Sequence, residues 1–344
     1  MTAPVLATTV GGLVVSVATI LALLPLLRSR GVVDVPVDRS MHAVPTPRGG
    51  GLGIVAAACV SLLGVLLTPE ISNTVVRDLA FAVLPVVAMA AIGLVDDLRT
   101  LSVVPRLGGQ AVVAAVWATT APIVAHRTAF WVPLVVLGTI VLVNITNFMD
   151  GINGLVSGHA VITSGWYAVV ALVTDVPAAA LLAAAVLGGS LGFLPFNVPQ
   201  ARVFLGDVGS YGLGAIWAVL SVWLLLAGAP VEALLAPLVI LLTDSLTTLV
   251  RRMANGDRIF EPHRLHVYQR LTHAGWSHLR TSCVVGALTL ACVLLTLPGL
   301  LGAGRQVRLV TVVLLAGVGV LYVFLPRLAN TGARWSQVRD ELEI

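Results

Sequence analysis

Stretches of about 20 apolar residues recur along almost the whole chain, and a run of that length matches the hydrocarbon core of a bilayer. Roughly eleven can be marked on this criterion, near residues 5–27, 50–68, 79–95, 108–125, 129–147, 156–174, 177–196, 208–228, 231–250, 283–303 and 308–326. Nothing long enough for a water-soluble domain stands between them, so residues 1–344 read as a single membrane domain without internal repeats. Charge supports this reading. Only 10% of residues are charged and 58% are hydrophobic, where a soluble domain carries about 25% charged residues. Too little polar surface is left to coat a globule in water. The expected fold is therefore all-α and polytopic. No basic segment precedes the first apolar run, so residues from about Pro4 to Leu27 read as a membrane helix and not as a cleaved signal.

The basic residues set an orientation. All 20 are Arg, and the net charge is only +4. Sixteen fall in the gaps after odd-numbered apolar runs; the exceptions are Arg77, Arg127, Arg305 and Arg308. Arginine marks the cytoplasmic side of a membrane protein. The N-terminus is then expected outside and the C-terminus inside, in the inner (plasma) membrane. Scattered between apolar blocks, these arginines do not form the basic face that nucleic acid requires. Cys59, Cys283 and Cys292 lie in apolar runs and read as small buried hydrophobes, neither a disulfide framework nor a metal site.

Polar chemistry gathers in the expected cytoplasmic loops. A transporter would place it near the bilayer midplane, often in broken helices; here it favours an enzyme working at one interface. Gly93–Leu98 reads GLVDDL, an adjacent carboxylate pair suited either to solvation or to binding a metal or proton. Asn144–Leu155 reads NITNFMDGINGL. Asn144 and Asn147 share a helix face three residues apart, suited to a site or to joining helices by hydrogen bonds, and Asp150 precedes two glycines. Phe204–Gly214 reads FLGDVGSYGLG, where glycine-rich backbone entering a helix suits a phosphate. Asp207 within it suits Mg²⁺, a hard ion that shares oxygen ligands with phosphates; it also reads as a simple helix cap. Glu261–Leu271 reads EPHRLHVYQRL. His263, Arg264 and His266 fit a diphosphate through forked, charge-assisted hydrogen bonds, or else an anionic lipid surface. The loop Asp34–Gly53 carries Arg39, His42, Arg48 and a glycine run. Asp244 is an isolated carboxylate inside an apolar run, which marks it as a functional candidate.

In this order the motifs PTPRGGG, GLVDDL, NFMDGINGL, FLGDVGS and HRLH resemble the polyprenyl-phosphate N-acetylhexosamine-1-phosphate transferases, from about Asp34 to Arg280. That resemblance implies a reaction. A UDP-N-acetylhexosamine, N-acetylglucosamine before others, gives its sugar-1-phosphate to a polyprenyl phosphate, UMP leaves, and the lipid-linked sugar starts a cell-envelope glycan such as O-antigen. It implies Asp207 as ligand of Mg²⁺, with Mn²⁺ as a substitute, and Asp96, Asp97, Asp150 and Asp207 as the catalytic carboxylates. Asn144, Asn147, Phe204, Arg48, His263, Arg264 and His266 become the substrate-binding set, with Phe204 placed to stack on uracil. A homodimer is compatible with the family, although no interface is legible.

Two departures bear on the branch. The triple-histidine loop of the muramoyl-pentapeptide enzymes is absent, and PHRLHVYQRL is closer to an O-antigen-initiating subgroup, some of which use 6-deoxy-N-acetylhexosamines. Asn153 stands where many members have a second Asp. The rival readings are the same reaction with a 6-deoxy donor, a lipid-linked-sugar transporter, and a non-catalytic membrane scaffold.

Overall fold

The computed structural model describes residues 1–36, 44–66, 72–121, 130–257 and 266–342, without the side chains of 62–64, 66 and 330–342. Each of the eleven apolar runs becomes a helix. The order is α1 (Thr2–Ser29), α2 (Leu52–Leu66), α3 (Asn73–Arg99), α4 (Val103–Thr120), α5 (Trp131–Met149), α6 (Leu155–Val173), α7 (Pro177–Asn197) and α8 (Gly206–Leu226). Then come the short α9 (Val231–Leu235), a 3₁₀ turn (Ala236–Leu238), α10 (Val239–Asn255), the short α11 (Val267–His273), α12 (His278–Leu300) and α13 (Arg305–Leu342). Among the described residues, nine helical spans are long and apolar enough to cross a membrane, with α9 to α10 counted as one. The two runs that fall short of this are α2, with 15 residues, and α4, with 18. At 1.5 Å per residue α2 is about 22 Å long, less than the roughly 30 Å of a hydrocarbon core.

Several helices outrun their apolar runs, because helical hydrogen bonding continues where hydropathy stops. The run at 79–95 becomes a helix of 27 residues that carries Asp96 and Asp97 in its last turn. The last helix continues past residue 326 to Leu342. α4 begins at Val103, so Arg106 and Gln110 lie within it.

Burial orders the bundle. Of the apolar window of α8, 83% is inside the protein, and of α7, 78%; for α1 the share is 17%. α8 is thus the central post, with apolar residues on every face, and α1 is peripheral. Small residues bring backbones together at the centre. A Cβ on Gly51 would lie 2.1 Å from the Cα of Gly209, and one on Gly214 would lie 2.5 Å from the Cα of Val143. Close approach of this kind drives helix association in membranes, where apolar surface alone gives no preference for protein over lipid.

The break between α9 and α10 frees carbonyls that lipid cannot satisfy. Side chains of α6 take them. His159 Nε2 lies 2.6 Å from the carbonyl of Pro237, Trp166 Nε1 donates to Ala233 O at 2.7 Å, and Tyr167 Oη donates to Leu234 O at 2.9 Å. His159, an isolated histidine in the sequence, is therefore a structural one.

Outside the helices, β1 (Val33–Asp34) pairs antiparallel with β2 (Thr46–Pro47), in the register Val33 to Pro47 and Asp34 to Thr46. The chain leaving β2 pairs in turn with the entry to α8. Phe204 N donates to Pro47 O at 2.8 Å, Gly50 N to Phe204 O at 2.9 Å, and Gly51 N to Leu205 O at 2.8 Å. Two glycine-rich motifs far apart in sequence are thereby joined by their backbones at one end of the bundle.

Candidate active site

At that end, α3 finishes, α8 begins, and α5 turns into α6. Gly93 allows the first contact. A Cβ there would lie 2.2 Å from the carbonyl oxygen of Asp207, so the last turns of α3 lie against the first turn of α8. Gly206 allows the second. Its φ is +75°, a region that glycine enters at no steric cost, and a Cβ would meet Asp97 Oδ2 at 2.7 Å and Gly49 N at 2.8 Å.

The adjacent carboxylates face different partners. Asp96 Oδ1 accepts from the backbone N–H of Leu101 at 2.7 Å, which closes the tight turn from α3 to α4. Its Oδ2 accepts from Tyr211 Oη at 2.9 Å and from Arg106 Nη1 at 3.5 Å. Asp97 Oδ2 accepts from the backbone N–H of Val208 at 3.0 Å, in the first turn of α8, and its Oδ1 lies 3.9 Å from Arg48 Nε. Both side chains are buried.

Asp207 sits in the first turn of α8, one residue inside the helix, and the N-cap position is held by Leu205. The cap reading of Asp207 is thereby set aside. Its Oδ1 accepts from Asn147 Nδ2 at 2.6 Å, and the same amide lies 3.2 Å from Ser210 Oγ. Asp207 is within electrostatic reach of Asp97 and Asp96, and Asp150 is within reach of Asp207 and Asp97. Asp150 lies in the turn between α5 and α6. Desolvation first, then the charges of Asp207 and Asp97, holds its carboxyl group well above the usual carboxylate range.

Asn197 fixes that turn. Its Oδ1 accepts from Gly154 N at 2.7 Å and Ser157 Oγ at 3.1 Å, and its Nδ2 donates to Val203 O at 3.3 Å. One buried amide thus ties the motif around Asp150 to the motif around Asp207. Asn153 lies outside the carboxylate group, with its amide toward Pro199 O at 3.4 Å.

Four aspartates from α3, the α5–α6 turn and α8 therefore converge with Asn147, Arg48 and Arg106. Arg48 also pairs by backbone bridge with Phe204, which brings that residue's backbone to the same end. The Nε atoms of Arg48 and Arg106 are buried with no hydrogen-bond partner among the described residues. Charged donors left unspent beside carboxylates suit an anion carrying its own oxygens. The donor set is all oxygen, as Mg²⁺ requires. No three of the acidic, histidine or cysteine groups among the described residues close on one point.

Other expected residues fall elsewhere. Asn144 donates to Gln110 Oε1 of α4 at 2.7 Å and to Ile140 O at 2.8 Å, away from the carboxylates. His263 and Arg264, with Arg39 and His42, lie outside the described residues. His266 is described and buried, and its Nδ1 lies 2.9 Å from Asp244 Oδ1. Tyr211, Arg106 and Gln110 were not singled out from the sequence. Tyr211 stands within a quoted motif, but no local pattern names its partner, and Arg106 reads there only as a loop charge.

Comparisons with known proteins converge on the same region. Residues 79–225, which span all four aspartates, match the family model described as glycosyl transferase family 4. A decaprenyl-phosphate N-acetylglucosaminephosphotransferase of Mycobacterium tuberculosis is 30% identical over 324 residues, covering 80% of this chain and 78% of its own. A probable undecaprenyl-phosphate N-acetylglucosaminyl 1-phosphate transferase of Bacillus subtilis is 29% identical over 290 residues, 79% of each chain. A phospho-N-acetylmuramoyl-pentapeptide-transferase of Desulforamulus reducens is 33% identical over 300 residues, 76% of this chain and 84% of that one. Identity of this extent, carried by a multi-pass bundle with its carboxylates at one end, means that the chain belongs to glycosyl transferase family 4.

Proposed function

We propose that this protein transfers an N-acetylhexosamine-1-phosphate, N-acetylglucosamine before others, from a UDP-sugar to a polyprenyl phosphate at the cytoplasmic face of the inner membrane. UMP is released, and the polyprenyl diphosphate sugar starts a cell-envelope glycan. One observation carries the reading: Asp96, Asp97, Asp150 and Asp207 converge with Arg48 and Arg106 at one end of the bundle. The names of the Mycobacterium and Bacillus relatives supply the substrate class.

In the reaction an oxygen of the lipid phosphate bonds to the phosphorus attached to the sugar, and the bond from that phosphorus to the bridging oxygen of UMP breaks. A phosphate monoester is largely ionised at neutral pH, so no dedicated base is needed to create the nucleophile. The chain's task is to bring two anions together and hold them in line. Arg48 and Arg106 lower the repulsion between them. Their own carboxylate partners, Asp97 and Asp96, keep the guanidinium groups in place. Asn147 fixes the Asp207 carboxylate. Phe204, whose backbone bridges to Arg48, is the aromatic assigned to stack on the uracil. Mg²⁺, held by Asp207 with Asp97 and Asp150 nearby, would supply a Lewis acid for the phosphate charge.

The test is UMP release by purified protein given polyprenyl phosphate, Mg²⁺ and a panel of UDP-N-acetylhexosamines that includes 6-deoxy sugars. Release that depends on both lipid and metal is expected. Asp207→Asn should lower it at least about 100-fold, while the protein stays folded by size-exclusion chromatography. No release from any donor by folded wild-type protein would overturn the reading.

A further inference from the structure

Asp244 is a carboxylate in a membrane-spanning segment, fully buried, and absent from the reaction described above. A group so costly to bury must be matched by donors, and five converge on it. Oδ1 receives His266 Nδ1 at 2.9 Å, Val267 N at 3.0 Å and Thr248 Oγ1 at 3.3 Å. Oδ2 receives Tyr322 Oη at 2.7 Å and Tyr268 N at 3.4 Å. Three elements meet there: α10, which carries Asp244; the start of α11; and α13, which carries Tyr322.

Three of the five donors belong to consecutive residues, His266, Val267 and Tyr268. They are the point at which the HRLH segment enters α11. Val267 and Tyr268 offer backbone N–H groups from the first turn of that helix, the usual place for a carboxylate. A carboxylate has no proton to give, so the hydrogen between Asp244 and His266 resides on Nδ1, which fixes both tautomer and ring plane. The ring is further held by stacking on Tyr268, with centroids 5.7 Å apart, and by Phe148 at 6.2 Å.

From this anchor the contacts run on to the carboxylate cluster. Tyr268 Oη donates to Phe148 O at 3.0 Å, and a Cβ on Gly151 would lie 2.1 Å from Tyr268 Oη. Phe148 and Gly151 flank Asp150. The anchored α11 also places Arg270 within electrostatic reach of Arg251 on α10, Arg327 on α13 and Asp244 itself.

We infer that Asp244 is a positioning residue for the sugar-nucleotide donor, acting through His266: it docks His266 and the start of α11 against the turn that carries Asp150. The inference rests on the transferase reading for its substrate. It predicts a selective effect. Asp244→Asn should raise KM for the UDP-sugar about tenfold and leave KM for polyprenyl phosphate unchanged. In the double variant with His266→Asn, the second change should add little to the first, because both break one interaction. Tyr322→Phe removes a donor from the other carboxylate oxygen and should leave both KM values near wild type.

A second readout needs no turnover. The ¹⁵N histidine spectrum should show His266 protonated at Nδ1 in wild type and altered in Asp244→Asn. A merely structural Asp244 would lower folded yield and kcat, with both KM values kept and the two substitutions additive; that result would overturn the inference. If Asp244→Asn yields no folded protein, Asp244→Glu keeps charge and acceptors at a displaced position. Wild-type KM for the donor in folded Asp244→Glu would overturn it as well. If wild-type protein releases no UMP, the transferase reading falls, and the role at the donor falls with it. The His266 contact is still decided by the spectrum, where an unchanged Nδ1 signal in Asp244→Asn refutes it.

Discussion

Asp96 and Asp97 are neighbours in sequence and differ in what surrounds them. Asp96 is engaged by a backbone N–H, a tyrosine hydroxyl and a guanidinium; Asp97 meets the backbone N–H groups of Val208 and Asp207 and a more distant arginine. Replacing Asp96 by Asn turns one acceptor oxygen toward its donors as an NH₂ group. The expected cost is about 1–3 kcal/mol of stability, the penalty of leaving buried donors unpaired. Asp97→Asn should cost less stability and more turnover, since its side chain faces Asp207 and Asp150. Thermal unfolding in detergent, followed by tryptophan fluorescence and set beside UMP release, separates the two. From sequence, Asn147 and Asp150 were legible as candidates within one short motif and Asp207 within another. Which partner each residue takes across helices was not. Asn144 looks equivalent to Asn147 by spacing, but its partner is Gln110, and nothing near either residue in the chain announces that pairing.

Among the helices, contact distance governs the site. Gly93 of α3 lies against the backbone of Asp207, so Gly93→Ala must push α3 away from α8 and part Asp96 and Asp97 from Asp207. Overpacking of this kind costs about 1–3 kcal/mol, and turnover should fall more steeply than stability. Gly108 of α4 has open space where a Cβ would go, and Gly108→Ala should leave both unchanged. Paired measurements of unfolding temperature and UMP release check this, and equal effects at the two positions would count against it. Helix number was readable because an apolar run of this length has few other homes. Helix ends were not, because hydropathy stops at the first charge whereas the backbone ladder continues. Asp96 and Asp97, expected at a helix end, lie in its last turn, past the apolar run that marked the helix.

For the molecule as a whole, the carboxylate end is also the end where the arginines gather. If arginine marks the cytoplasmic side, impermeant maleimide added to intact cells should label Gly304→Cys, in the exposed turn between α12 and α13, and not Asp257→Cys. Cys59, Cys283 and Cys292 would be replaced by Ala beforehand. The reverse pattern would put the site on the outer face. The position of α1 has a different consequence. Gly12 and Gly188 seat α1 on α7 so closely that a Cβ on Gly188 would lie 1.9 Å from the carbonyl of Thr9. The first helix thus finds its main seat on a helix that starts at Pro177, well after α1 ends at Ser29. At ordinary synthesis rates of about 5–20 residues per second, α1 waits in the bilayer for many seconds before α7 emerges. Its most apolar window, with a mean hydropathy of 2.4, is apolar enough to hold it in the bilayer meanwhile. A ribosome stalled before α7 would leave α1 with its small-residue seat unfilled.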